Sequence, residues 1–179
     1  MNLVRVGAAR SEIVPLSVVK QHLRVDGDDE DGYLDSLIRG AVAHLDGPRG
    51  VLGRCIQQQA WALDLPDGWA DSIRLPLPTV EDISAVTIDG DGVEAPLPII
   101  QRSCGVWTFA QPVEPSILPV RVSFVAGVPD DILPALRQAV LLIVGNWYLN
   151  REEVAAAASA TALPLSAQRI LAPLKIRWV

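Results

Sequence analysis

The chain has 179 residues, half of them hydrophobic and 20% charged, with a mean hydropathy of +0.28. That length supports one domain with a proper core and is short for two. A formal net charge of −6 at pH 7 argues against a general binder of nucleic-acid phosphates, and so apolar a composition points to surface hidden in an assembly.

No secretory signal is expected at the N-terminus, since Arg5 and Arg10 interrupt any continuous apolar stretch. From Pro15 onward the apolar residues fall at spacings of three and four. Leu16, Val19 and Leu23 form the stripe of a short helix, and Leu34, Leu37, Ile38, Ala41 and Leu45 form that of a second. Between them lies Asp26-Gly27-Asp28-Asp29-Glu30-Asp31, whose carboxylates oppose the positive end of the second helix dipole. Residues 26–35 carry six acids and no base, against a net +3 over residues 1–25. As a calcium loop the segment fails: counted from Asp26, the glycine position holds Asp31 and the bidentate glutamate position holds Leu37. Asp26, Asp28, Asp29, Glu30 and Asp31 therefore read as a solvated helix start, and as candidates for a channel lining or a subunit interface. His22 and His44 lie on the two helices with no Cys or His at ligand spacing, which gives them ordinary surface or packing roles.

Gly47-Pro48-Arg49-Gly50 stops the second helix. The spacing of Gly47, Gly50 and Gly53 is not the dinucleotide fingerprint, and no strand precedes it. From Cys55 the period changes to two, with Gln57, Gln59, Trp61, Leu63 and Leu65 alternating against the residues between them. Further strands are expected at Ser72–Leu75, Ile83–Ile88, Ile99–Arg102, Val106–Phe109 and Val120–Ala126, separated by turns rich in Pro, Gly and Asp. The many prolines imply sheet edges, and edges invite neighbours. Cys55 and Cys104 belong to no CxxC pair and read as small buried hydrophobes. Trp61, Trp69, Trp107 and Trp147 lack interleaved basic residues, so they suit a core or an interface better than base stacking.

At Val128-Pro129-Asp130-Asp131 the helical period returns. Asp130 or Asp131 is expected to cap a helix that tolerates Pro134 in its first turn and runs to about Arg151. Leu133, Leu136, Val140, Ile143, Val144 and Trp147 share one face, and Leu141, Leu142 and Leu149 widen it nearly all round, which marks a central helix. Only 13 uncharged residues separate Arg137 from Arg151, fewer than the roughly 20 a membrane span needs. Ala155–Ala162 reads as a mobile spacer and Leu165–Leu174 as a last short helix interrupted at Pro173. The tail Leu174-Lys175-Ile176-Arg177-Trp178-Val179 alternates apolar and basic side chains, a pattern suited to an extended arm anchored by Trp178. The expected architecture is α+β, mainly α: a small helical bundle of two N-terminal helices, one long central helix and one C-terminal helix, with an inserted antiparallel β-region. As one domain over 1–179, it divides into helical residues 15–54, a β-region at 55–127, helical residues 128–174 and an arm at 175–179.

Four blocks, PLSVVKQHLRVDGDDEDGYLDSLI, IRLPLPTVEDISAVTIDGDG, VRVSFVAGVPDDILPALRQAVLLIVGNWYLNRE and LPLSAQRILAPLK, together resemble in their order the head–tail connector (adaptor) proteins of tailed bacteriophages and of bacterial gene transfer agents. The resemblance covers roughly residues 15–175. It implies a structural protein rather than an enzyme, with no cofactor, no metal and no membrane contact. About twelve copies would form a ring below the portal, extend the DNA channel and join the capsid to the tail. The implied partners are further copies of the chain, the portal protein, a tail-side stopper or tail-completion protein, and duplex DNA that passes without sequence-specific binding. The implied location is the neck at the portal vertex, assembled in the bacterial cytoplasm. Connectors of this kind dock on the portal through their C-terminal parts, which makes Leu174, Lys175, Ile176, Arg177, Trp178 and Val179 candidate portal contacts. The chain departs from the pattern at Asp46-Gly47-Pro48-Arg49-Gly50, where the second helix often continues. Two other readings stand beside it: another neck component, such as a stopper or tail-completion protein, or a small metal-dependent enzyme using Asp26–Asp31. GxSxG, P-loop and HExxH motifs are absent from the sequence.

Overall fold

Helical and strand periodicities sort into two units in the computed structural model of the chain. One is drawn from residues 11–56 and 129–177, the other from residues 1–10 and 57–128. The structure describes residues 2–7, 12–67, 72–77, 80–87, 95–96, 99–103, 106–109, 119–151 and 163–176.

The helical unit contains α1 (Leu16–Leu23), α2 (Asp31–Leu45), α3 (Leu133–Leu149) and α4 (Leu165–Leu171), with 3-10 turns at Asp130–Ile132 and Ala172–Leu174. Helix α3 packs against α1, α2 and α4. Of the stripes anticipated from the spacing, Val19 in α1, Leu34, Leu37, Ile38, Ala41 and Leu45 in α2, and Leu136, Val140, Ile143 and Val144 in α3 are buried, while Leu16, Leu23, Leu133 and Trp147 are half-buried. Helix α4 closes the unit with Ala167 and Leu171. A Cβ added at Gly145 would lie 3.5 Å from His22 Nε2 and 3.7 Å from Leu23 Cδ2, so the glycine sets how closely α1 can lie on α3. Asp130–Leu149 is long and apolar enough by composition to cross a membrane; α1, α2 and α4 pack on it, and a third of its apolar window is buried.

Two details of α3 differ from the sequence reading. Neither Asp130 nor Asp131 caps it; both lie in the 3-10 turn, and no side-chain capping hydrogen bond is made there. The helix ends at Leu149 rather than Arg151, since Asn150 leaves helical geometry at φ −110° and ψ 55°; the Asn146 carbonyl accepts both its N–H and its Nδ2 at 3.0 Å. The expected spacer at residues 155–162 lies outside the described residues.

After α2 the chain forms a tight loop that accounts for the departure at residues 46–50. The N–H groups of Val51 and Leu52 donate to the carbonyls of His44 and Leu45, so the loop satisfies carbonyls the helix end would leave free. Gly47 N–H donates to Arg54 O at 2.9 Å, and Asp46 Oδ1 accepts Ile56 N–H at 2.8 Å. Gly47 adopts φ +82°, and a Cβ at Gly50 would lie 2.4 Å from the carbonyl oxygens of Leu45 and Asp46. The glycine spacing is thus a backbone requirement. Leu52, Cys55 and Ile56 are fully buried beside it.

The β unit holds two antiparallel sheets. In the five-stranded one the order is β1 (Asn2–Arg5), β2 (Gln59–Leu65), β8 (Val120–Ala126), β4 (Val80–Thr87) and β5 (Ala95–Pro96). In the other, β7 (Val106–Phe109) lies between β3 (Ser72–Arg74) and β6 (Ile99–Ser103). Strand β8 shows the expected alternation, with Val120, Val122, Phe124 and Ala126 buried; on β2, Gln59, Trp61 and Leu63 are buried as expected, but Ala62 is buried too and Leu65 is only half-covered. Asp64 and Arg121 are register partners on these strands, and the carboxylate takes both Arg121 Nε (2.7 Å) and Nη2 (3.1 Å), the bidentate geometry that favours one register. Strand β1 was not anticipated, and neither was β5. Cys104 and Trp69 lie outside the described residues.

The α+β class, with helical segments on either side of an antiparallel β-region, is therefore the observed one. Replacing Gly50 by Ala should cost on the order of 3 kcal/mol of unfolding free energy, because the loop backbone must move to admit the methyl group. Leu34→Ala, at a fully buried α2 position, should cost about 2–5 kcal/mol. Urea denaturation of the two variants checks both; a Gly50→Ala protein as stable as the wild type would contradict the loop geometry.

Candidate functional site

The acidic turn between α1 and α2 is the most charged feature of the helical unit. Helix α1 ends at Arg24, held at φ 57° while the N–H of Val25 returns to the Lys20 carbonyl at 3.0 Å; this left-handed cap swings the chain toward α2. The cap places Lys20 Nζ 2.8 Å from Asp28 Oδ1 and 2.7 Å from Asp31 Oδ1. The hydrogen bond to Asp28, then that to Asp31, raises the Lys20 pKa, and the same Lys20 contact lowers that of Asp28.

Glu30, just before α2, reaches across to the end of α3. It accepts the Tyr148 hydroxyl on one oxygen and Arg151 Nη2 on the other. The Arg151 guanidinium lies 4.7 Å from the Tyr33 ring centroid and 4.8 Å from that of Tyr148, while the two rings stand 6.3 Å apart. The Tyr148 hydroxyl, followed by Arg151, holds the Glu30 carboxyl below the usual range, and Glu30 in turn pushes the Tyr148 phenol up. Four side chains from the start of α2 and the end of α3 thus form one cluster. Tyr33, Tyr148 and Arg151 were not singled out in the sequence. The i, i+3 spacing of Glu30 with Tyr33 and of Tyr148 with Arg151 was the only local hint, and it does not place the pairs by itself because Glu30 precedes α2 and Arg151 follows the end of α3.

The five candidate acids are thereby separated. Asp28, Glu30 and Asp31 are engaged within the chain, whereas Asp26 and Asp29 are exposed and form no ion pair among the described residues. No group of three or more His, Cys, Asp and Glu side chains converges as a metal site among the described residues. His22 sits beside Gly145 on α3, and His44 meets the Trp147 ring edge-on at 6.5 Å between centroids.

The C-terminal candidates begin on the helical unit. Leu163, Ala167 and Leu171 are buried, and Leu174 and Ile176 are partly covered. The Ile176 N–H donates to the Leu52 carbonyl at 3.0 Å, tying the segment to the loop after α2, and Lys175 is exposed between them. Arg177, Trp178 and Val179 lie outside the described residues.

Residues 14–76 match the family model of phage gp6-like head-tail connector proteins, a stretch that takes in α1, the acidic turn, α2 and the loop after it. The whole chain shares its fold with a chain from the neck of an empty gene transfer agent (GTA) particle computed with C6 symmetry. The two are 23% identical, the match covers 100% of this chain and 97% of that one, and the TM-score is 0.71. No curated protein matches the chain. The connector resemblance read from the sequence is borne out by the family match and the shared fold.

The Glu30 cluster has a pH signature. Its folded-state pKa is depressed, so its contribution is present above the unfolded carboxylate value of about 4 and is lost as pH falls through that value toward the folded one. The wild-type melting temperature should fall as pH drops from about 5 to about 3, and Glu30→Gln should flatten that fall. Calorimetry across this range checks it; equal slopes for the two proteins would contradict the cluster.

Proposed function

We propose that the chain is a structural subunit of a head–tail connector. Copies form a ring below the portal of a tailed-phage or gene-transfer-agent particle, extend the DNA channel and join the capsid to the tail. The observation that carries this reading is that the connector family match falls on α1, the acidic turn and α2, within a chain whose full length has the fold of a neck protein. The composition agrees, since a chain half hydrophobic needs partners for the surface one copy leaves bare. Leu149 and Leu165 are exposed at 78% and 63%, a placement that subunit packing would relieve. The related neck was computed with C6 symmetry, with which a ring of about twelve copies is compatible.

The subunit works without chemistry of its own. Three of the five acids of the α1–α2 turn are tied to Lys20, Arg151 and Tyr148, which favours a scaffold over a carboxylate catalyst. Asp26 and Asp29 stay free for a channel or a neighbouring subunit. The portal contact is assigned to the last six residues, of which Leu174 and Ile176 are seated on the helical unit by the Leu52 hydrogen bond and Arg177, Trp178 and Val179 lie outside the described residues. Trp178 is the natural anchor for a groove on the portal, and Arg177 the partner for its acidic groups. The tail-side partner is a stopper or tail-completion protein, and the working place is the neck of the particle.

Deleting Arg177–Val179 should leave the melting temperature unchanged and give filled heads without tails, counted by electron microscopy; normal tailed particles from the truncated chain would place the portal contact elsewhere. Purified protein should bind duplex DNA only weakly at physiological salt, because a net charge of −6 lets few phosphates be neutralised. Fluorescence anisotropy against salt checks this, and tight, steeply salt-dependent binding would contradict a passive channel.

A further inference from the structure

The loop after α2 and the segment after α4 are joined by one backbone contact. The Leu52 carbonyl accepts the Ile176 N–H at 3.0 Å, and Lys175, just before it, is extended at φ −67° and ψ 131°. The chain thus passes beside this loop once its last helical turn is over. Three residues before Leu52, Arg49 is exposed next to exposed Pro48. The loop backbone is fixed by the Gly47–Arg54, Val51–His44 and Asp46–Ile56 hydrogen bonds and by the close approach at Gly50. Arg49 therefore has little backbone freedom left to lose on binding.

Both cations lack a counter-charge. Arg49 and Lys175 are exposed and form no ion pair among the described residues. The acid of the loop, Asp46, is half-buried and engaged by the Ile56 N–H, and residues 163–176 hold Arg169 and Lys175 but no acid. The other exposed charges of the unit, apart from those bonded within the chain, stand on other elements. They are Glu12 before α1, Arg24, Asp26 and Asp29 between α1 and α2, Asp130 and Asp131 before α3, and Arg169 on α4. Signs are mixed over the unit as a whole. What sets Arg49 and Lys175 apart is that one hydrogen bond brings them to the place where the C-terminal arm begins.

We infer that the loop after α2 is part of the portal contact, with Arg49 and Lys175 docking on carboxylates of the portal surface beside the arm. The inference rests on the C-terminal portal reading above and adds to it a rigid loop from the first half of the chain. Arg49 offers a planar fork that pairs a carboxylate through two hydrogen bonds, and Lys175 adds a point charge next to it. Presented on a backbone already in place, the pair gives the arm an oriented start and leaves less to order when it binds. Two cations on a chain of net −6 neutralise few phosphates, so an acidic protein surface suits them better than DNA.

The test uses the full-length chain and portal-bearing heads purified from cells that lack it, with bound chain measured by quantitative mass spectrometry after sedimentation. Thermal melts verify that each variant folds. Arg49→Glu and Lys175→Glu should each weaken binding by about fivefold or more while leaving the melt unchanged. Arg24→Glu and Arg169→Glu, which reverse exposed cations elsewhere on the unit, should bind as the unsubstituted chain does. Full binding by the Arg49→Glu chain overturns the inference. So does an equal loss in the Arg24→Glu or Arg169→Glu chain, which would make the effect one of net charge alone. A short DNA duplex whose binding falls with Arg49→Glu, while head binding does not move, also overturns it, the partner then being nucleic acid. A chain cut after Ile176 separates the inference from the reading beneath it. If the cut chain loses the heads and Arg49→Glu keeps them, the C-terminal reading stands and the inference falls. If the cut chain binds fully and Arg49→Glu does not, the arm is not the contact and the loop is. Failure of the unsubstituted chain to bind heads overturns the connector reading itself.

Discussion

The structure depends on the packing of α3 against α2, because the helical unit is assembled from two stretches of chain that the whole β-region separates. The chain leaves that unit after Ile56 and re-enters it at Pro129. Closing so long an excursion costs entropy, although the cost grows only slowly with length. What offsets it is the burial of Leu34, Leu45, Leu136 and Ile143, all fully covered, each contributing about 1.5–3 kcal/mol as an upper bound. The exit is secured as well, by Asp46 accepting the Ile56 N–H and by buried Leu52 and Cys55. A β-region inserted at such a point can vary without loosening the helices that hold its ends.

Electrostatics then works at a second level. Surface ion pairs stabilise little when taken singly, and Lys20, Glu30 and Arg151 are all close to water. Their effect here is geometric. Lys20 straps the acidic turn to α1, and Glu30 straps the end of α3 to the start of α2. The rings of Tyr33 and Tyr148, tilted 40° to each other, give the Arg151 guanidinium two aromatic contacts that a lysine would not make in the same way. A run of acids that would otherwise repel itself becomes a defined turn with two carboxylates directed to solvent.

The helices were legible because their stripes are long and regular, and the buried residues of α1 and α2 are those the spacing marks. Strands β2 and β8 were legible for the same reason at period two. Strand β1 was not, because Asn2-Leu3-Val4-Arg5 becomes a strand only by pairing with Asp64-to-Trp61 on β2, a long-range contact that four residues cannot announce. The division into two sheets escaped notice on similar grounds, since it is set by which strands pair and not by any one strand. At the candidate site the acids were visible as a group, but their sorting needed Tyr148 and Arg151, more than a hundred residues away. The glycines at 47, 50 and 53 looked like a helix stop and proved to be a hydrogen-bonded loop, whose tight backbone approach at Gly50 no composition reveals.

A connector subunit is defined by its place in the particle. The most direct measurement is an electron cryomicroscopy reconstruction of the neck, without imposed symmetry, from particles carrying this chain. The account predicts a closed ring of identical subunits between portal and tail, into which the α1–α4 unit fits as a rigid body. A neck with no such density, or with only one or two copies at the vertex, would contradict it.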